Sequence, residues 1–237
     1  MLKKILFGAL TVLLALSLVG CGGKKDEAKP AAAPAEQKAE VAVEGAPDKA
    51  VLAYAQLYAY GIIEDENQAA AGLTDADIDK VQDQVLMPIV DAFKMYPLSD
   101  ESVAEMTSKY IEKLHMAMDI KATVKKDDKE HPVVELSATT INQEGAAKVA
   151  TENADLVALG NAYGELKAQG LTDEDLKASE DFQAFALESI DNYINEFPLN
   201  ETATLEVTCD AVKGSDNKMH WAPQDPTAVA NFVNGKK

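Results

Sequence analysis

His115, His131 and His220 are the only histidines of this 237-residue chain, so any nitrogen ligand or imidazole base must come from them. They lie far apart in sequence, and none belongs to a His-x-x-x-His pair, so neither a zinc site nor a Ser-His-Asp set is expected. His131 precedes Pro132 in a turn-like stretch, and strand parity puts His220 on the outward face beside Trp221. Asp75, Asp77 and Asp79 begin like a calcium loop. The sixth position is Lys80 where glycine is needed, and the twelfth is Leu86 where a bidentate glutamate belongs. The run is therefore read as the solvated first turn of a helix. Gly-rich phosphate loops and Gly-x-Ser-x-Gly elbows are missing. The expectation is a protein with no catalytic residue, no metal and no cofactor.

Tyr54 and Tyr58 share one helical stripe with Val51 and Ile62. That period matches a buried face, although the same rings beside Trp221 would suit a groove for sugar or peptide. Cys209 sits in the alternating run Ala203, Leu205, Val207, Cys209, Ala211 and so faces inward on a strand. A buried thiol of this kind is structural, because a reactive one needs an exposed, electropositive setting.

Cys21 has a different context. Lys3 and Lys4 precede an apolar run from Ile5 to Val19, which stops at Leu18-Val19-Gly20-Cys21. This is the pattern of a secretory signal, with the lysines held on the cytoplasmic side. Leu18-Val19-Gly20-Cys21 resembles the lipobox of bacterial lipoproteins. The resemblance implies cleavage after Gly20, a diacylglyceryl thioether on Cys21, and residence on the cell membrane or outer membrane, facing away from the cytoplasm. Two or three acyl chains hold a protein stably on a bilayer where one does not. The uncharged run Ile5–Gly23 leaves an uncleaved anchor helix as the other reading, although its hydrophobic length is borderline.

All 22 basic residues are lysines, set against 40 acids, for a formal charge of −18. Removing residues 1–20 takes two lysines and no acid, so the exported chain carries −20. Such a surface does not neutralise phosphates, which disfavours nucleic acid as a partner, and anionic lipid would repel it. The expected membrane contact is thus the lipid on Cys21 alone. Residues 21–47 are rich in Gly, Lys, Ala and Pro, without aromatics or an apolar period, and read as a flexible linker. As a coil it spans on the order of 30 Å.

The elements that position these side chains follow from pattern. Thr74 and Thr172 are placed as N-caps, each with an aspartate three residues on, and Ser99, Asn142 and Asp225 start further helices. Asn142 is expected to open one long helix through Val149, Leu156 and Tyr163. Phe182, Phe185, Ser189 and Tyr193 form another apolar stripe. Strands are expected at Asp119–Lys126, Val133–Ile141, Thr202–Val212 and Lys218–Ala222.

Three short segments recur in order: Ala59-Tyr60-Gly61 as Ala162-Tyr163-Gly164, Gly72–Ile78 as Gly170–Leu176, and Tyr96-Pro97-Leu98 as Phe197-Pro198-Leu199. The fold class is therefore read as α+β. Two tandem related units, 48–142 and 143–237, each supply helices followed by an antiparallel hairpin, after the signal peptide 1–20 and the linker 21–47. In architecture the body resembles extracytoplasmic bacterial lipoproteins with helix-then-sheet domains of unknown function, a resemblance that implies no activity. The expected role is a non-catalytic binding or envelope-associated module, meeting an envelope protein or a small ligand. A small-molecule carrier or hydrolase with its site between the two units is the alternative.

Overall fold

In a computed structural model that describes residues 42–236, the chain has a mixed α+β fold. The signal segment, the Leu18-Val19-Gly20-Cys21 motif and residues 21–41 lie outside the described residues. The order is β1 (Val43–Glu44), α1 (Pro47–Tyr60), α2 (Asp65–Ala71), α3 (Asp75–Phe93), α4 (Asp100–Ala117), β2 (Lys121–Lys126) and β3 (Val133–Ile141). There follow α5 (Gln143–Glu152), α6 (Ala154–Ala168), α7 (Asp173–Ala178), α8 (Glu180–Asn195), β4 (Leu199–Lys213), β5 (Met219–Pro223) and α9 (Pro226–Val233). Helices precede a hairpin twice, as the pattern required. The strands β2–β3 and β4–β5 nevertheless belong to one five-stranded sheet of order β1-β5-β4-β3-β2. β3 joins β4 antiparallel from Val133↔Thr208 to Ile141↔Leu199, so hairpins from the two halves of the chain pair with each other.

Helix starts follow side-chain capping closely. Thr74 and Thr172 each form a full capping box with Asp77 and Asp175, which satisfies two orphan N–H groups at each start. The Asp75-Asp77-Asp79 run is thus a helix start. Ser99, Asn142 and Asp225 cap α4, α5 and α9. The single long helix after Asn142 is broken at Asn153. Its extended backbone lets its amide oxygen accept from Leu156 N–H at 2.9 Å and begin α6 afresh.

On α8 the inward positions are Phe182, Ala186, Ser189, Ile190 and Tyr193. Phe185 points out, 38 % exposed, because it falls off the 3.6-residue period. On β4 the inward parity holds, but Ala203 is exposed and burial begins only at Leu205, Val207 and Cys209.

Two apolar clusters result. One lies between α1, α9 and the sheet, with Val51, Leu136, Cys209 and Trp221 among its members. The other lies among α4, α6, α7 and α8, around Met106, Leu159 and Ile190. Ile89, Tyr110 and Phe197 pack against both. Phe93, Tyr110, Phe197 and Tyr193 form a chain of edge-to-face rings with centroids 5.6–6.4 Å apart.

The recurring segments occupy partly equivalent places. Gly72 and Gly170 both precede a capping box in the left-handed region. Gly61 ends α1, however, whereas Gly164 lies inside α6.

Candidate functional site

Two places gather chemistry-bearing side chains. The first begins at the sheet edge. β1 is two residues long and pairs in parallel with β5, setting Glu44 opposite His220. The expected linker 21–47 therefore ends earlier, since Val43 and Glu44 already belong to the sheet. His220 is also not outward in the sense expected: it is 2 % exposed. Parity was right, for Trp221 on the other face joins the core. The face bearing His220 is instead covered by the end of α2 and by the β4–β5 turn.

Glycines make that cover possible. A Cβ built at Gly72 would overlap the imidazole, and one at Gly214 would lie 2.8 Å from its Cδ2. One at Gly45 would lie 2.6 Å from the Ala70 Cα. Buried Asn67 holds α2 in place by donating to Gln56 Oε1 of α1 at 3.1 Å and to Glu64 Oε2 at 3.0 Å.

Around the ring, Nδ1 lies 3.4 Å from the Ala70 carbonyl oxygen, and Nε2 lies 3.0 and 3.1 Å from the two carboxylate oxygens of Asp216. Asp216 also accepts from the Lys218 backbone N–H at 3.0 Å. That bond, followed by the contact with His220, holds its carboxyl below the usual aspartate range. Lys218 Nζ reaches Glu44 Oε2 at 2.9 Å, which raises the lysine. One ligand atom each from Glu44, Asp216 and His220 falls within 4.8 Å of the others. The expectation of no metal-ligating set looked at spacing along the chain. These three residues come from both ends of the described chain, so no local motif announces them.

The second place is an open groove of about 640 Å³ between α3 and α4, at the end of α1. Tyr60 forms its floor, 3 % exposed, with the His115 ring tilted at 60° to it and the centroids 5.1 Å apart. Burial pushes the Tyr60 phenol up to about 12. Leu86, Val90 and Ile111 give an apolar wall, and Gln82, Thr107 and Glu112 add polar groups. All the lining residues fall within 60–115, so this groove does not lie between 48–142 and 143–237.

The tyrosines singled out by spacing behave otherwise. Tyr54 and Tyr58 are half-buried, 6.3 Å apart, and pack with Trp221 into the sheet-side core, not into the groove. Their neighbour Tyr60, a half-turn away on α1, is the one that faces it. His131 stands elsewhere again, exposed, with Nδ1 2.7 Å from Asp210 Oδ1. Cys209 is buried as expected, and desolvation, followed by the Asp210 carboxylate, pushes its thiol up to about 12.

The sequence matches no protein-family model and no curated protein. Among solved structures it is similar to a candidate lipoprotein (ycdA) of Bacillus subtilis subsp. subtilis str. 168, with a TM-score of 0.46 and 14 % identity over 80 % of this chain. The similarity covers 56 % of that protein's length. None of the described helices is long and apolar enough to cross a membrane.

Proposed function

We propose that this chain is an extracytoplasmic lipoprotein, held on a bacterial membrane by lipid on Cys21, whose folded body binds a partner and performs no catalysis. The observation that carries this is the Leu18-Val19-Gly20-Cys21 motif, directly after an apolar run flanked by Lys3 and Lys4. The body itself is acidic, so charge does not draw it to anionic lipid, and the acyl chains act alone.

The test is replacement of Cys21 by alanine in a bacterial host. The variant accumulates as uncleaved precursor and takes up no labelled palmitate, whereas the parent chain fractionates with membranes. Palmitate labelling that persists in Cys21→Ala refutes the anchor.

The groove over Tyr60 and His115 favours a small amphiphilic molecule as the bound partner. Its volume falls in the range of small-molecule sites, and it sets one aromatic floor and an apolar wall beside a few polar groups. Such a ligand raises the melting temperature of the exported body in a panel of sugars, peptides and amphiphiles. Filling the groove by Leu86→Trp abolishes that shift. If every compound leaves the melting temperature unchanged and a protein crosslinks to the body in cells, the partner is an envelope protein instead.

A further inference from the structure

We propose that Glu44, Asp216 and His220 form a binding site for a divalent first-row transition-metal ion of the zinc class. The orientation of the buried imidazole leads to this. Nδ1 faces a backbone carbonyl at the end of α2, an oxygen that only accepts, so the proton of a neutral ring belongs on Nδ1. Nε2 is then left with its lone pair turned toward a carboxylate. A ring nitrogen and a carboxylate 3.0 Å apart are held together either by a proton or by a metal ion between them. A histidine whose far nitrogen donates to a backbone carbonyl is also the usual arrangement behind a metal-ligating Nε2.

The spacing suits such an ion. Two ligands each about 2.0–2.1 Å from zinc at a tetrahedral angle lie about 3.3 Å apart. Nε2 and the Asp216 oxygens are already 3.0–3.1 Å apart, so a small outward movement of an exposed side chain admits the ion. Glu44 supplies a third ligand from the adjacent strand, and the two carboxylates balance a charge of +2. The ammonium of Lys218 now rests on Glu44, but that pair is half exposed and holds weakly. Imidazole favours zinc, nickel, copper or iron, whereas calcium requires six to eight oxygens, which three protein ligands do not provide.

Binding would have a structural consequence. Glu44 belongs to the first described strand, where the preceding segment joins the fold, and Asp216 belongs to the β4–β5 turn. A metal would fasten the two together beside buried His220. This inference is independent of the lipid anchor and of the groove.

The experiment uses the full chain in a non-ionic detergent, stripped with a chelator and titrated with zinc chloride or cobalt chloride. One equivalent of zinc binds by calorimetry, and cobalt develops the visible bands of a low-coordinate nitrogen and oxygen site. Asp216→Asn and Glu44→Gln each weaken zinc by on the order of tenfold or more. Both side chains are exposed, so the melting temperature of the metal-free protein stays close to that of the parent, which His220→Gln would not guarantee. Calcium or magnesium in large excess does not displace the ion.

Three results would overturn the proposal. One is a cobalt spectrum unchanged from the hexa-aquo ion, which would leave His220 and Asp216 as a hydrogen-bonded pair. Another is equal zinc affinity in the parent, Asp216→Asn and Glu44→Gln. The third is loss of zinc binding in His131→Asn, which would move the ion to the exposed His131–Asp210 pair.

Discussion

Gly72 and the imidazole of His220 meet with no space for a methyl group, and Gly72 does so in the left-handed conformation, at φ +63°. Gly170 occupies the equivalent place before the second capping box, at φ +93°, with open space where a Cβ would stand. The pair separates two physical effects. Gly170→Ala carries only the conformational cost of a left-handed alanine, about 1–2 kcal/mol. Gly72→Ala carries that cost and an overpacking term of about 1–3 kcal/mol. Thermal or urea unfolding therefore ranks Gly72→Ala clearly below Gly170→Ala. Equal losses would mean that the ring does not press on α2.

The register of β3 with β4 predicts the behaviour of half-chains. Val134, Leu136 and Ala138 on β3 are buried while β3 lies between β2 and β4. A fragment ending at residue 142 loses β4 and exposes the whole edge of β3, together with the shared packing of Phe197 on Tyr110. It should show no cooperative unfolding transition, and the full chain should unfold in one step. A folded fragment 42–142 would show that the first half carries its own core.

The capping boxes predict an acid-sensitive stability. The Thr74 hydroxyl and N–H hold the Asp77 carboxyl below its ordinary value, with Ser215 adding a further bond, and Thr172 does the same for Asp175. Because the folded values are depressed, this stabilisation is complete above the unfolded aspartate range and is lost as pH falls through the folded values. Thr74→Ala and Thr172→Ala should each cost about 0.5–2 kcal/mol near neutrality. The deficit should shrink as the solution is acidified below pH 4, as followed by urea midpoints at several pH values. A deficit that is constant down to pH 2 would contradict the role of the carboxylates.

Cys209 offers a readout of global opening. With its thiol buried and pushed up to about 12, almost none of it is thiolate at pH 8. A maleimide should therefore label it only as fast as the protein unfolds, and urea should release the block along the same transition seen by circular dichroism. Rapid labelling of native protein would show that β4 opens locally.

Much of the local structure was legible without coordinates. Thr74, Thr172, Ser99, Asn142 and Asp225 were readable as helix starts, because a cap is a hydrogen bond between residues three positions apart. The strands and the inward placement of Cys209 were readable from alternation, because parity is a property of the strand alone. Parity put His220 on the face away from the core, but that face is covered and His220 is buried, which alternation along one strand does not reveal.

Other features depend on contacts that sequence spacing does not encode. Asn153 interrupts the helical pattern that Asn142 opens, since an asparagine competes for backbone bonds wherever its surroundings allow an extended residue. Phe185 carries an apolar side chain at an outward position, so counting hydrophobic residues misplaces the face of α8.

The sequence by itself determined the Cys21 motif, the acidic charge, the helix caps and the strand faces, because each depends on neighbours along the chain or on composition. Only the tertiary structure decided that strands from both halves share one sheet and that Tyr60, not Tyr54 or Tyr58, faces a groove. It alone also brought Glu44 within reach of Asp216 and His220, residues more than 170 positions apart. Those outcomes rest on strands pairing across several intervening helices and on glycines that let α2 close over a histidine, and neither leaves a periodic mark in the chain.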